Sequence, residues 1–342
     1  MQKITKENTL DQIIEMIGCR EREYMISPME KMNYGFIPNE ALRDQIKQIE
    51  QGRKFTQWSL EDVSKIFTAW KLQPMVDGME YLVERAEKST VFYDIWDGPG
   101  KENIKAVTGL AAFPVKDKTK FVIICPGGGY ENVCSIAEGF PMARELNKLG
   151  YAAFILQYRT GVNLKCTDPL EDLAQAIRYI LDHAEEFNVN TNGYAVLGFS
   201  AGGHLAASFG IKGLGYEKYG LKKPEMMILG YPVITMGEKT HEGSRSLLLG
   251  QDHMDDQDFR DQYSIEKQVD YSYPPTYLWQ TEKDEAVPVE NSRMMAEILK
   301  KNHVPYTYEV FPGQEHGWGL GTGTPAEGWI DHAVDFWKKI EG

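Results

Sequence analysis

The stretch that decides the fold is Tyr194-Ala-Val-Leu-Gly-Phe-Ser-Ala-Gly-Gly-His-Leu-Ala-Ala-Ser208. Its first five residues are typical of a short buried strand, and the residues after Ser200 are typical of a helix. Between them, Gly198-Phe-Ser-Ala-Gly202 matches the pattern GxSxG, in which small residues permit a tight strand-to-helix turn that exposes a serine. The bare pattern is weak because glycine and serine are common, but the strand and helix around it are the context that it requires. We therefore predict that Ser200 is a nucleophile.

Strands and helices alternate on both sides of this segment. Short apolar or β-branched runs predict strands over 121–125, 151–158, 226–234, 276–280 and 307–311. Helical periodicity predicts helices over 137–149, from Asp168, from Ser200, from Val289 and over 330–340. Two further strands, over 91–96 and 104–115, are expected to lead the sheet as an antiparallel pair. Such alternation indicates an α/β fold with a mostly parallel central sheet and helices on both faces.

Glycine usage separates the first 88 residues from the rest of the chain. Residues 1–88 contain only four of the 32 glycines and are expected to form short helices. Helices are predicted from Thr9 or Asp11 to Gly18, from Asn39 to Gly52, from Ser59 and over 79–86. We therefore predict a helical N-terminal extension over 1–88 and a catalytic domain over 89–342. The extension could cap the active site, form a dimer surface or pack on the back of the sheet, and the sequence leaves these alternatives open.

The composition restricts the classes of partner. The 342 residues are 42% hydrophobic and 25% charged, which is typical of a globular protein, and no apolar run reaches the roughly 18 residues of a membrane span. The net charge of −13 repels polyanions, so neither nucleic acid nor a membrane is an expected partner. The N-terminus lacks the apolar core of a secretory signal, and the four cysteines form no CxxC pair. These features predict a cytoplasmic protein, and a homodimer stays open.

A serine nucleophile needs a base, and the base needs an orienting acid. In this fold the three residues follow the chain order serine, acid, histidine. His316, in Gly313-Gln-Glu-His-Gly317, is the histidine that has both the required order and a glycine-rich loop after the last strand. Asp284 follows the strand over 276–280 and is the predicted acid, with Glu282 and Glu285 as neighbouring competitors. For His204, four residues after Ser200, we expect a packing role.

The negative charge that forms on the carbonyl oxygen during acyl transfer needs two backbone amides. One amide is that of the residue after the nucleophile, Ala201. The other is expected from the loop after the first parallel strand, Pro126-Gly-Gly-Gly-Tyr130, with Gly128 or Gly129 as the donor. A phosphate-binding loop is disfavoured, because these glycines lack both the Lys-Ser/Thr of a P-loop and the spacing of a dinucleotide site.

Acyl transfer to water needs no cofactor, and the sequence has no HxH, HExxH or Cys/His cluster to hold a metal. The segment over 236–270 has a net charge of −5 and is expected to form a polar insertion over the site. Tyr130 and Trp318 stand beside the oxyanion loop and the base, where flat rings could contact the substrate. Trp279, within a strand, is expected in the core.

Several motifs together resemble the α/β-hydrolase superfamily, in the esterase branch of acetyl-xylan and feruloyl esterase-like proteins and hormone-sensitive-lipase-like esterases. The resemblance covers about residues 90–342 and rests on Pro126–Tyr130, Gly198–His204, His241-Glu-Gly-Ser244 with Leu247-Leu-Leu-Gly250, Asp284–Pro288 and Glu315-His-Gly317. It implies a catalytic triad of Ser200, Asp284 and His316. Cys125 departs from the pattern, since this branch usually has a histidine there, and the loop would lose one anchoring hydrogen bond.

The resemblance and the polar insertion predict a serine carboxylesterase that removes short acyl groups, acetyl first, from carbohydrate. Acetylated xylo- or manno-oligosaccharides are examples of such small-molecule substrates. The alternatives are a feruloyl-type esterase and an amide-cleaving serine hydrolase such as a formamidase or peptidase. A catalytically silent binding module on the same fold is disfavoured, because all three triad residues stand in the required order.

Overall fold

The computed structural model describes residues 3–26, 44, 46–48, 52–98 and 102–341. Its described residues form one sheet of eight strands in the order β1-β2-β4-β3-β5-β6-β7-β8. The strands are β1 Phe92–Tyr93, β2 Gly109–Phe113, β3 Thr119–Cys125, β4 Ala152–Gln157, β5 Val189–Phe199, β6 Met226–Gly230, β7 Thr276–Thr281 and β8 Tyr306–Phe311. β2 pairs antiparallel with β1 and β4, and every other pairing is parallel. The predicted α/β fold with a mostly parallel sheet is confirmed.

Helices cover both faces of the sheet. Along β3, Val122 and Ile124 contribute to one buried cluster, and Phe121, Ile123 and Cys125 contribute to the other. This alternation is the two-residue period of a strand buried on both sides. The helices are α1 Leu10–Ile17, α2 Leu60–Ile66, α3 Leu72–Ala86, α4 Glu102–Lys105, α5 Ser135–Glu138, α6 Phe140–Lys148, α7 Asp168–Asp182, α8 Ser200–Gly210, α9 Glu242–Leu249, α10 Gln257–Tyr263, α11 Glu290–Lys301 and α12 Trp329–Glu341. Short 3-10 helices lie at Arg20–Met25, Phe55–Gln57 and Ile265–Lys267.

Several predicted boundaries differ from the structure. The strand predicted over 104–115 is wrong in its first half, because Glu102–Lys105 is helical and the Thr108 hydroxyl donates to the Ile104 carbonyl, closing the turn before β2. The strand predicted over 91–96 shortens to β1. The helix predicted over 137–149 is divided at Gly139 into α5 and α6. β-branched residues in a turn give the same sequence signal as a strand. The interruption of a helix within an apolar run does not alter the helical periodicity of the sequence, so the sequence does not reveal it.

The strand predicted over 226–234 also ends early, at Gly230. Tyr231 follows with a left-handed φ of 37°, and Pro232 cannot donate to a sheet hydrogen bond. The chain therefore leaves the sheet at this point and enters the region of the active site. The helix predicted over 39–52 lies almost entirely outside the described residues.

Two helix starts predicted in the extension, at Thr9 and Ser59, are confirmed, whereas the helix predicted over 79–86 begins earlier, at Leu72. Thr9 caps α1 in a capping box with Gln12, and Gly18 ends that helix with a left-handed φ of 73°. Ser59 caps α2 in a second box with Asp62. In both boxes side chains satisfy amides that the helix itself leaves unpaired.

The extension packs on the face of the sheet that α6 covers. Its helix α3 lies so close to α6 that a Cβ at Gly78 would stand 2.8 Å from the backbone nitrogen of Pro141. Tyr81 stacks on Phe113 of β2, with ring centroids 5.6 Å apart. Buried side chains of α1, α2 and α3 belong to the same hydrophobic cluster as one face of β3. The described part of the extension therefore shares a core with the catalytic domain.

The close approach at Gly78 predicts the sign of the stability change on substitution by alanine. In an isolated helix Gly→Ala stabilises by about 1 kcal/mol, but at Gly78 the new methyl group would collide with Pro141. We expect Gly78→Ala to lower the free energy of unfolding by about 1–3 kcal/mol, measured by urea denaturation. Gly213→Ala is the control, since nothing lies within 4 Å of its added Cβ. A stabilised Gly78→Ala protein would contradict the docking of α3 on α6.

Candidate active site

Ser200 lies at the sharp turn between β5 and α8. Its φ is 52°, a left-handed value that a residue with a side chain rarely adopts. Both flanking glycines are required sterically, because a Cβ at Gly198 would lie 2.2 Å from the carbonyl oxygen of Gly202. A Cβ at Gly202 would in turn lie 2.1 Å from the carbonyl oxygen of Cys125 on β3. The turn therefore presents the hydroxyl as the motif predicts, with backbone strain at the serine itself.

The structure brings the three predicted triad residues into one hydrogen-bonded chain. His316 Nε2 lies 2.8 Å from Ser200 Oγ, and His316 Nδ1 lies 2.8 Å from Asp284 Oδ2. The other carboxylate oxygen of Asp284 accepts the amides of Ala286 and Val287, at 3.0 and 2.9 Å. The competitors Glu282 and Glu285 are exposed. Asp284 is thus the carboxylate that orients the imidazole.

The environment of His316 favours a protonated imidazole. Burial by itself would lower the pKa of His316, but the charge and hydrogen bond of Asp284 and the charge of Glu138 outweigh it. The net effect raises the pKa of His316 above its ordinary 6.5. A base with this pKa accepts a proton from a hydroxyl more readily than a free imidazole does.

The glycine loop lies against the nucleophile. A Cβ at Gly127 would stand 2.9 Å from Ser200 Cβ, so this loop passes directly over the serine. Gly128 and Gly129 have left-handed φ values of 134° and 67°. Within the described part of the chain, neither of their amides donates to a protein acceptor. Ala201 occupies the first turn of α8, where amides have no partner within the helix. The amide of Ala201, next to the serine, and those of Gly128 and Gly129, which directly follow the contact at Gly127, are therefore unpaired in the described structure.

The loop has an anchor that the sequence did not reveal. The amide of Gly127 donates to Glu138 Oε2 at 2.6 Å, the Tyr158 hydroxyl donates to the Pro126 carbonyl at 2.7 Å, and the Cys134 amide donates to the Gly127 carbonyl at 2.9 Å. Cys125 is buried and leaves these contacts undisturbed. The expected loss of anchoring at Cys125 is thus offset by the side chains of Glu138 in α5 and of Tyr158, which follows β4.

Neither ring proposed for the substrate is free to stack on one. Tyr130 is 1% exposed, and its hydroxyl is hydrogen-bonded to His204 Nδ1 at 2.8 Å. Trp318 is 6% exposed, and its indole N–H donates to Glu315 Oε2 at 3.0 Å. The predicted substrate contacts of both residues disagree with this burial. They fix loops instead, because short motifs show which residues adjoin a site but not which way they point.

His204 and Trp279 have the packing roles expected of them. His204 Nε2 pairs with the carbonyl of Tyr263, and burial lowers the pKa of His204 to about 4. A neutral ring bonded at both nitrogens holds α8 against the insertion. Trp279 is fully buried in the cluster on the face covered by the extension.

The insertion contributes one residue that the sequence argument did not single out. His241 caps α9, where its Nδ1 accepts the amide of Ser244 at 3.2 Å. Its Cε1 lies 3.7 Å from the position of a Cβ at Gly129, beside the predicted oxyanion donors. Burial first, and then the charge of His316, lower the pKa of His241 to about 4. The motif His241-Glu-Gly-Ser244 was the available signal for a neutral imidazole at this position.

The extension also reaches the loop of the base. The Thr68 hydroxyl donates to Glu315 Oε1 at 3.2 Å, and Lys71 Nζ lies 3.5 Å from Glu315 Oε2. The indole nitrogen of Trp70 lies 3.4 Å from the position of a Cβ at Gly317. Trp70 is half-buried next to the base loop, and its ring stacks on that of Phe67 with centroids 4.4 Å apart. The extension has no motif that could have indicated this placement.

Searches for a metal site and for a membrane span give no candidate among the described residues. No group of three or more His, Cys, Asp or Glu side chains there is placed to hold a metal ion. No helix in the same part of the chain is long and apolar enough to cross a bilayer.

Known proteins that are similar to this chain show its family. The family model described as BD-FAE matches residues 113–299, more than half of the chain. The chain belongs to the BD-FAE family. This family consists of α/β-hydrolase esterases. The match begins after the extension, which lies outside the BD-FAE domain.

Relatives of the BD-FAE domain include parts of larger proteins. Endo-1,4-beta-xylanase B of Butyrivibrio fibrisolvens is 36% identical over 234 residues, which are 65% of this chain and 36% of that protein. An acetylxylan esterase of Xylanibacter ruminicola is 32% identical over 212 residues, which are 61% of this chain and 43% of that protein. The match thus spans about two fifths of these curated relatives.

A solved structure is similar to most of the chain. The acetyl ester-xyloside bifunctional hydrolase of Caldicellulosiruptor lactoaceticus aligns with a TM-score of 0.63 and 33% identity. The alignment covers 95% of that chain and 73% of this one, so about a quarter of this chain lies outside it.

The arrangement around His316 predicts how its ring titrates. We expect its pKa, measured by NMR titration of the imidazole, to lie above 6.5, and Asp284→Asn to lower it. Below the raised pKa the ring is charged, and above it the ring is neutral. Glu282→Gln is the control, because this exposed carboxylate makes no contact with the ring. A pKa at or below 6.5 in the unmodified protein would contradict the arrangement.

Proposed function

We propose that this protein is a serine carboxylesterase that removes short acyl groups, acetyl first, from carbohydrate. The observation that supports it best is the hydrogen-bonded chain of Ser200, His316 and Asp284 beside three unpaired backbone amides. This set of groups supplies a nucleophile, a base, an orienting acid and donors for an oxyanion, as acyl transfer requires.

In the first half of the reaction, Ser200 Oγ attacks the ester carbonyl carbon while its proton passes to His316 Nε2. The carbonyl oxygen becomes an oxyanion that the amides of Ala201 and of Gly128 or Gly129 stabilise. Asp284 stabilises the imidazolium that forms without taking its proton. The intermediate collapses when the carbon–oxygen bond to the alcohol breaks, and His316 returns the proton to the departing alcohol. An acyl group then remains on Ser200.

In the second half, water attacks the acyl carbon and His316 takes one of its protons. Collapse of the second oxyanion breaks the bond to Ser200 Oγ, which recovers its proton from His316. The products are a carboxylic acid, acetic acid for an acetyl ester, and the free enzyme. No redox step or external co-reactant other than water is involved.

Two observations favour a carbohydrate ester as the substrate. Relatives are named an acetylxylan esterase and an acetyl ester-xyloside bifunctional hydrolase. The insertion over 236–270 has a net charge of −5, so its composition suits a hydroxyl-rich substrate better than a long acyl chain. Trp70, half-buried beside the base loop, is the aromatic residue that we place against the sugar, in the role first assigned to Trp318.

The test of the reaction is the loss of acetate release when Ser200 is replaced. We expect Ser200→Ala to lower kcat on acetylated xylo-oligosaccharides by about 10⁴-fold or more, with an unchanged melting temperature. Ser208→Ala is the matched control, because this buried hydroxyl lies on the same helix and has no hydrogen-bond partner in the described structure. Unchanged turnover by Ser200→Ala would contradict the mechanism.

A parallel panel separates the substrate classes. Rates are compared for acetylated xylo- and manno-oligosaccharides, a feruloyl ester and a formyl or peptide amide. The proposal expects the acetylated sugars to have the highest kcat/KM. A preference for the feruloyl ester or for an amide would keep the serine mechanism and replace the substrate.

Trp70 provides a prediction about where the sugar binds. Trp70→Ala is expected to raise KM for acetylated oligosaccharides by about tenfold while leaving kcat/KM for 4-nitrophenyl acetate near that of the unmodified protein, because the small ester does not reach the ring. Steady-state kinetics on both substrates measure this split. Equal losses on both substrates would mean that Trp70 supports the base loop and does not bind sugar.

A further inference from the structure

A buried carboxylate lies beneath the active site, and the proposed mechanism does not use it. Glu138 ends α5 and is 3% exposed. It forms no ion pair with any lysine or arginine in the described parts of the chain. Burying an unpaired carboxylate is costly, and the usual compensation is a set of hydrogen bonds or a nearby positive charge.

Two donors hold the Glu138 carboxylate, and they belong to opposite sides of the site. Oε2 accepts the amide of Gly127, on the oxyanion loop, at 2.6 Å. Oε1 accepts the hydroxyl of Tyr231 at 2.7 Å. The same hydroxyl accepts the amide of Gly319 at 3.1 Å, just beyond the base. One carboxylate and one phenol therefore tie the oxyanion loop to the loop that holds His316.

The same pair also contacts the base. The ring of Tyr231 meets that of His316 edge-on, with centroids 4.8 Å apart. A Cβ at Gly317, the residue after the base, would lie 4.0 Å from Glu138 Oε1. The left-handed φ of Tyr231 shows that the backbone is strained to place this ring.

Four charged or titratable side chains face His316. Asp284 follows β7, Glu138 ends α5, His241 caps α9 and Tyr231 follows β6. Burial raises the pKa of the Tyr231 hydroxyl well above its ordinary 10, so Tyr231 adds no charge. Asp284 and Glu138 both favour the imidazolium, whereas His241 is neutral at physiological pH. The pKa of Glu138 is raised overall, because burial outweighs the bonds from Tyr231 and Gly127 and the charge of His316, all of which favour the ionised form.

We propose that Glu138 is a positioning residue for the reaction: through Gly127 it fixes the oxyanion loop, and its charge stabilises the imidazolium on His316. When His316 takes the proton of Ser200, the imidazolium that forms compensates the buried negative charge of Glu138. This proton transfer belongs to the step that the enzyme must accelerate. This inference rests on the proposed serine-esterase function.

The test compares Glu138→Gln with Glu282→Gln, which removes the same charge from an exposed site. The readouts are kcat and the pH profile of kcat/KM with 4-nitrophenyl acetate, whose ester does not titrate. We expect Glu138→Gln to lower kcat by about tenfold or more and to move the acid limb of the profile to lower pH. The sign follows because a base without its negative neighbour stays neutral to lower pH. The control should change neither quantity.

Two further variants separate the charge from the hydrogen bonds. Glu138→Asp keeps the charge but is one methylene shorter, so kcat should fall while the acid limb stays closer to that of the unmodified protein than in Glu138→Gln.

Tyr231→Phe keeps the ring on His316 and removes the shared hydroxyl. The double variant Glu138→Gln/Tyr231→Phe should reduce kcat by a smaller factor than the product of the two single-variant factors, because both substitutions remove the same hydrogen bond. If Glu138→Gln does not fold, Tyr231→Phe and Glu138→Asp still test the link.

The outcomes distinguish this inference from the function on which it rests. An inactive unmodified protein, or an active Ser200→Ala variant, would overturn the proposed function itself. Active unmodified protein with a Glu138→Gln variant of unchanged acid limb and kcat would overturn only the role of Glu138. A lower melting temperature with an unmoved acid limb would do the same, because it would show that Glu138 serves stability alone.

Discussion

The strained turn at Ser200 is the constraint on which the rest of the structure depends. Ser200 has a φ of 52°, and the backbone is closely packed on both sides of it. Gly198 packs against the carbonyl of Gly202, and Gly202 packs against the carbonyl of Cys125, so neither position has space for a side chain. These approaches set α8 against the end of β3, and they place the loop that follows β3 over the hydroxyl. Parallel strands then bring Asp284 and His316 to the same edge of the sheet. The local backbone conformation thus fixes the relative position of all the reacting groups.

The same arrangement places two carboxylates, Asp284 and Glu138, next to the imidazole of His316. The buried carboxylate of Asp284 accepts hydrogen bonds from two amides and contacts the imidazole of His316. Glu138 adds a second carboxylate on the other side of the ring, held by Gly127 and Tyr231. Both raise the pKa of His316, which burial alone would lower. A neutral His241 nearby adds no opposing positive charge at physiological pH. The site is therefore arranged for transient positive charge on one imidazole.

The sequence predicted the parts of the site that depend on backbone and chain order. The elbow at Ser200, the acid at Asp284 and the base at His316 were predicted because each follows a recognisable strand and stands in the required order. Side-chain direction was not predictable: Tyr130 adjoins the oxyanion loop in sequence but points into the core. The contributions of Glu138 and Trp70 depend on how separate elements pack, and neither residue belongs to a short motif. The strand predicted over 104–115 failed for a local reason, because β-branched residues also occupy the turn before β2.

The extension adds to the catalytic domain by sharing its core and bordering the loop of the base. Labelling with a fluorophosphonate, followed by peptide mass spectrometry, tests most directly whether Ser200 is the activated nucleophile. Such a reagent phosphonylates a serine that is activated by a neighbouring base. The account predicts one adduct per chain, on the peptide that contains Ser200, and none when His316 is replaced by alanine. No adduct on the unmodified protein, or an adduct on another residue, would contradict it.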